Sequence, residues 1–253
     1  MLPTLAGQLP LTEPMDQEQI ERIDAASLDI LEEVGVVFRD DIALEDWRKA
    51  GADVRGERVH LDRGLVKSLI KTIPSEITLH ARNPEKTVAL GGRQSIFIPM
   101  TGAPYLRDLE DVRRAPTLDD LATFHKLAHM LPAMHSSAHH IVEPMDHPIS
   151  HRHLRITHSS MLYSDKTFMG MTTSGQNAED VLDMCAILFG EEYLETHAVV
   201  TGNCNGNSPL VWDETMLSAM RAFNRRNQPV LCSPFVLGGA NTPASTVPTV
   251  AQL

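Results

Sequence analysis

Residues 198–243 read AVVTGNCNGNSPLVWDETMLSAMRAFNRRNQPVLCSPFVLGGANTP. An apolar run, Ala198 to Thr201, ends in the polar segment Gly202-Asn203-Cys204-Asn205-Gly206-Asn207-Ser208-Pro209. Met216, Leu217, Met220 and Phe223 then recur at helical spacing, and a second apolar run, Pro229 to Cys232, runs into Ser233-Pro234-Phe235. Strand, polar loop, helix and strand in this order make a βαβ unit. Parallel strands joined by a helix leave the following loops on one edge of the sheet, where such folds carry their chemistry.

The same alternation extends upstream. Apolar strands are expected at about residues 133–136 and 167–172, and their starts recur at roughly 31 to 34 residues through 198 and 229. Helices lie between them, the clearest carrying Val181, Met184, Cys185, Leu188 and Phe189 on one face. Residues 95–100 form a further candidate strand, and Thr117-Leu118-Asp119-Asp120 begins a helix with Leu121, Phe124, Leu127 and Leu131 inward. This period belongs to a (β/α) barrel or a doubly wound sheet. No GxGxxG or GxxxxGK[ST] follows a strand, which favours the barrel. The fold class is therefore α/β, a TIM (β/α)8-type barrel of which four or five of the eight units are present. Val247 to Leu253 looks helical, and the polypeptide is expected to continue past it.

Residues 1–92 read as an α-rich N-terminal extension with a small β element, and residues 93–253 as the first barrel units. An irregular arm spans residues 1–15. Asp16 opens a helix with Ile20, Ile23, Ile30, Leu31 and Val34 as its stripe, closed by Gly35. A helix over about 42–50 follows, then one capped by Asp62 with Leu65, Leu69 and Ile70 inward. Ile77 to His80 and Val88 to Leu90 look like short strands, with Gly91-Gly92 as a turn signal.

Composition narrows the function classes. A chain of 253 residues with 42% hydrophobic content can bury a sizeable core. A net charge of −11 argues against a nucleic-acid surface. Cys185, Cys204 and Cys232 are odd in number and widely spaced, so a reducing compartment is expected. No apolar run reaches the roughly 20 residues of a membrane span and no signal-peptide pattern opens the chain, so the expected location is the cytoplasm, away from membranes.

The strand ends bring forward Thr101 and Tyr105, Ser136 to His140, Thr172 to Ser174, Asn203, Asn205, Asn207 and Ser208, and Ser233 and Phe235. Most are neutral hydrogen-bonding groups. No Gly-x-Ser-x-Gly or HExxH motif is present. His139, His140, Glu143, Asp146, His147, His151 and His153 would serve a metal-assisted hydrolase if they converged, although solvated or capping roles account for them more simply. No metal site is assigned.

Val142-Glu-Pro-Met-Asp-His-Pro148, Ser164-Asp-Lys166, Gly170-Met-Thr-Thr-Ser174, Asn205-Gly-Asn-Ser-Pro-Leu-Val-Trp-Asp213, Asn227-Gln-Pro-Val230 and Pro234-Phe-Val-Leu-Gly-Gly-Ala240 together resemble the trimethylamine methyltransferase family. Ile30-Leu-Glu-Glu-Val-Gly-Val36 and Leu79-His-Ala-Arg-Asn-Pro84 are similar to it too. The resemblance implies a TIM-barrel enzyme of one-carbon metabolism, methanogenesis included. Such an enzyme moves a methyl group from trimethylamine or a quaternary amine such as a betaine to the cobalt of a corrinoid. That corrinoid is carried by a separate cognate protein, and no cofactor is expected on this chain itself. Members of the family are roughly twice this length, and in the trimethylamine-specific ones a pyrrolysine lies in the half beyond this sequence.

A quaternary substrate demands no acid–base pair, so no catalytic residue is singled out; the protein has to hold a cation in line with the metal. Tyr105, Phe235 and Glu143 are the expected cation contacts, with His139, Thr172, Thr173, Asn203 and Asn205 orienting the rest of the substrate. A barrel that only binds methylated amines is the non-catalytic alternative, and homo-oligomerisation is left open.

Overall fold

The computed structural model describes residues 5–6 and 12–253. Most of the arm expected over residues 1–15 lies outside them; Leu5–Ala6 pairs antiparallel with Gln94–Ser95. The chain is mixed α/β, and its contacts divide it into two compact units that interleave along the sequence. One holds Leu5–Ala6, Ser75–Asn203 and Ala219–Leu231; the other holds residues 12–74, Cys204–Ser218 and Cys232–Leu253.

In the second of these, helix Gln17–Asp29 opens with a capping box between Asp16 and Gln19. A π-helical turn, Ile30–Val34, continues it to Gly35, whose φ of 71° ends the run. A Cβ on Gly35 would sit 2.6 Å from the Val59 carbonyl oxygen, so glycine is required twice over. Helices Asp41–Lys49 and Arg63–Ile70 are capped by the side chains of Asp40 and Asp62. Ile20, Val34, Leu69 and Ile70, expected inward, are exposed, whereas Leu31 and Leu65 pack against the core.

What the sequence did not disclose is a four-stranded sheet in the order Val211–Asp213, Val36–Arg39, Arg58–His60, Asp53–Arg55. Val36–Arg39 pairs in parallel with Val211–Asp213 and antiparallel with Arg58–His60. Strands this short carry too few residues for a period of two to register. The sheet supports a core of Val36, Phe38, Leu44, Val59, Leu61 and Leu217, with the Trp47 ring 5.5 Å from that of Phe38. Burying each large apolar side chain contributes about 1.5–3 kcal/mol.

The first unit follows the expected β-then-α order. The His135 N–H donates to the Phe97 carbonyl at 2.8 Å, Ser136 bridges in parallel to Thr167, and Phe168–Met169 pairs in parallel with Val200–Thr201. Strand Val200–Gly206 and its neighbour Val230–Pro234 begin in this unit, and helices Leu118–Met130, Ile149–Tyr163 and Gly175–Phe189 occupy its connections. Leu118–Met130 has the capping box read at Thr117, although Leu127 and Leu131 of its expected stripe are exposed. Fully buried Phe223 lies where Cβ atoms on Gly170 and Gly202 would meet it at 2.9 and 3.3 Å. The short strands Glu76–Leu79 and Val88–Gly91 pair antiparallel, and Gly91 and Gly92, both at positive φ, turn the chain after the second.

Lys166 closes one of the connections from inside. Only 3% exposed, it donates from Nζ to the carbonyls of Ala128, Leu131 and Met134 at 2.7, 2.8 and 2.6 Å. The Ala128 carbonyl would ordinarily receive the N–H four residues on, but that residue is Pro132, which has none. The ammonium fills the gap at the negative end of helix Leu118–Met130. Among the described residues no helix is long and apolar enough to cross a membrane.

Candidate functional site

Each strand of the first unit runs out into polar residues. Gly102, with φ of 83°, donates from its N–H to the His140 carbonyl at 2.8 Å. Ala103 bridges in parallel to Val142, and the Glu143 N–H donates to the Ala103 carbonyl at 3.0 Å. These bonds strap residues 101–103 to 140–143. Tyr105 follows, 52% exposed, with the Arg113 guanidinium 4.0 Å from its ring centroid. One face of that ring therefore already carries a cation.

His139 and His140 end the neighbouring segment. Their Nδ1 atoms are 2.6 Å apart, so one ring donates and the other accepts. His139 is buried, its Nε2 has no hydrogen-bond partner, and its carbonyl accepts from His125 Nε2 at 2.7 Å. His125 Nδ1 is in turn bonded to Ser159 Oγ at 2.9 Å. Burial, reinforced by the neighbouring imidazoles, holds His139 well below its ordinary range; burial also lowers His125 and His140. The result is a set of neutral imidazoles, able to donate or accept without bringing positive charge.

Glu143 Oε1 accepts from Arg152 at 2.7 Å, and Arg152 also donates to the His147 carbonyl at 3.1 and 2.7 Å. The expected cation contact is thus ion-paired. Thr172 is buried and donates from Oγ1 to the Asn203 carbonyl at 2.6 Å. Thr173 is exposed and accepts from Asn177 Nδ2 at 2.8 Å, beside the Ser174 cap of helix Gly175–Phe189. Asn203 is half-buried, and along strand Val200–Gly206 it alternates onto the same face as Thr201 and Asn205.

Asn205 and Phe235 belong to the other compact unit. Asn205 is exposed and accepts from Ser233 Oγ at 2.7 Å. Phe235 is 61% exposed, its carbonyl taking hydrogen bonds from Ser208 and, at 3.0 Å, Asn241. Within the first unit the geometry brings together His139, His140 and Glu143 with the Gly102 strap, and Thr172 with Asn203. Arg152 was missed by the sequence reading, because a lone arginine nine positions after Glu143 belongs to no recognisable motif.

The histidines grouped for a metal do not form one ligand set, although His139, His140 and His153 lie near one another. His153 Nε2 is bonded to Asp180 at 2.7 Å, and His147 faces Asp146 at 3.4 Å. Among the described residues no group of three or more His, Cys, Asp or Glu side chains is placed to hold a metal ion. The hydrolase alternative loses its ligand set on this geometry.

Comparison with known proteins agrees with the resemblance read from the motifs. A family model described as trimethylamine methyltransferase (MTTB) matches residues 1–253. The chain is 40% identical over 247 residues to a glycine betaine methyltransferase of Desulfitobacterium hafniense (strain Y51), covering 97% of this chain and 52% of that protein. It is 26% identical over 246 residues to a proline betaine:corrinoid methyltransferase of Eubacterium limosum, covering 92% and 50%. Against a trimethylamine methyltransferase MttB of Desulfitobacterium hafniense (strain DSM 10664 / DCB-2) the identity is 26% over 201 residues, 76% and 40% of the two chains. The chain spans about half the length of these curated relatives. The solved Methanosarcina barkeri monomethylamine methyltransferase (MtmB) shares its fold at a TM-score of 0.63 and 12% identity, over 94% of this chain and 49% of that one. Motifs, a family match along all 253 residues and the relatives' sequences converge, and the chain belongs to the trimethylamine methyltransferase (MTTB) family.

Proposed function

We propose that this chain is part of a methyltransferase that takes a methyl group from a quaternary amine, a betaine in preference to trimethylamine, and delivers it to a corrinoid borne by a cognate protein. The observation that carries the reading is the 40% identity to a glycine betaine methyltransferase over 97% of the chain. We read the parallel strands of residues 93–253 as the opening units of a TIM-type barrel and residues 1–92 as their extension. One-neighbour-at-a-time parallel pairing with intervening helices supports that reading. A cytoplasmic setting suits an enzyme whose acceptor must stay reduced.

The residues fit such a task. Reduced cobalt, when its carrier docks, supplies the nucleophile. The chain's own groups have to hold a cation without competing charge, in line and away from water. His139 and His140 stay neutral because they are buried, so they do not repel a quaternary ammonium. The Glu143 carboxylate lies close enough to His140 to favour its protonation, and its pairing with Arg152 fixes where that negative charge sits. Asn203 carries an amide whose chemistry suits the carboxylate end of a betaine. Amides and hydroxyls suit a substrate better than a cobalt, which supports assigning the corrinoid to the partner.

The test is to incubate the protein with its reduced corrinoid partner and glycine betaine, proline betaine or trimethylamine, and to follow the demethylated amine by mass spectrometry. Demethylation of a betaine that requires both proteins is expected. Binding of betaine without any demethylated product would favour the purely binding barrel and refute the enzymatic reading.

A further inference from the structure

Two of the three cysteines, separated by 28 positions, lie on neighbouring strands. Strand Val200–Gly206 and strand Val230–Pro234 are joined through helix Glu214–Arg225, and their register can be read from the bonds between them. The Gly202 N–H donates to the Pro229 carbonyl at 2.9 Å, the parallel pattern that sets Gly202 opposite Val230. Asn205 and Ser233 join side chains at 2.7 Å with the same offset. That register sets Cys204 directly opposite Cys232.

Residues opposite each other on adjacent parallel strands project from the same face, about 4.8 Å apart at the backbone. A disulfide accepts Cα separations of roughly 4.4–6.8 Å. Both thiols are free: Cys204 is buried, its Sγ donating weakly to the Met216 carbonyl at 3.7 Å, and Cys232 is exposed. Cys232 also lines a cavity of about 260 Å³, bounded by Ile30, Leu210, Trp212 and Val236 among others, which gives a small reagent a way in. Cys185, on helix Gly175–Phe189, is buried and has no such neighbour among the described cysteines.

We infer that Cys204 and Cys232 are a cross-strand dithiol that a low-molecular-weight disulfide such as glutathione disulfide oxidises to an intrachain disulfide. The inference does not rest on methyl transfer. Cys232 loses its proton and attacks one sulfur of glutathione disulfide; the Cys232–glutathione bond forms, the original S–S bond breaks, and one glutathione leaves as a thiolate that takes up the proton. Cys204 then loses its proton and attacks the Cys232 sulfur, and the second glutathione leaves and is protonated. Two cysteine thiols give up two electrons, and one glutathione disulfide becomes two glutathiones. Burial raises both thiols, so the first step is slow at neutral pH and quickens about tenfold per pH unit below the titration of Cys232.

The test is to incubate the native protein with glutathione disulfide at several pH values, block remaining thiols, and record intact mass and peptide maps without reduction. The expected product has lost the mass of two hydrogen atoms, contains a linked pair of peptides bearing Cys204 and Cys232, and forms unchanged in Cys185→Ser. A stable glutathione adduct on Cys232 with Cys204 still free, a Cys232-linked dimer, or unmodified protein at high pH would each overturn the inference.

Discussion

Replacing Lys166 with Met removes an ammonium of nearly the same length while leaving the carbonyls it serves in place. The Leu131 carbonyl still receives the Met134 N–H at 3.2 Å, so the carbonyls of Ala128 and Met134 are the ones exposed to loss. Each buried carbonyl left without a donor costs about 1–3 kcal/mol, while relief from holding a charge out of water returns part of it. A net destabilisation of about 3 kcal/mol is expected. For a chain of this size that lowers Tm by roughly 6–12 °C. Thermal unfolding followed by circular dichroism, with the urea midpoint as a second measure, reads it directly. If Lys166→Met melts within about 1 °C of the parent, the ammonium does not do what its geometry says.

Further outcomes follow from other sites. Gly35→Ala should destabilise by at least about 2 kcal/mol, whereas Gly51→Ala, also at positive φ but facing open space, should lose only about 1 kcal/mol; equal losses would refute the close approach of the Val59 carbonyl. Asp120 is held well below the usual carboxylate range by the Arg114 guanidinium and the Thr117 donors. Its contribution is therefore complete above the unfolded value of roughly 3.9 and lost as pH falls through the lower folded value. Asp120→Asn should cost about 1 kcal/mol at neutral pH, and the gap from the parent should shrink in acid melts below pH 4. Burial pushes the Cys204 thiol up to about 12 and raises Cys185 as well, so iodoacetamide at pH 8 should alkylate one thiol in the folded protein, read by intact mass, and three once it is denatured.

Much of the first unit was legible before any coordinates. The starts read at residues 167, 198 and 229 fall within two residues of paired strands, because buried parallel strands leave unbroken apolar runs that punctuating glycines and prolines delimit, whereas the run read from 133 yields only a bridge at Ser136. Caps at Asp16, Asp62 and Thr117 were equally plain, since a single side chain placed one turn before an apolar stripe states its role locally. The sheet built on Val36–Arg39 was not, because its pairing partner Val211–Asp213 is remote in sequence and its strands are shorter than one alternation window. At the candidate site, residue types were readable and partners were not. Nothing in the residues around Glu143 announces that Arg152 neutralises it, and nothing near Tyr105 announces the guanidinium on its ring.

The proton held between His139 and His140 provides a native reporter. Two imidazole nitrogens 2.6 Å apart, one of them on a buried ring, place that hydrogen far downfield in a 1H NMR spectrum, clear of the amide envelope. Any change in what surrounds these two rings would repolarise the pair and move the line, so an event beside them becomes visible without a label.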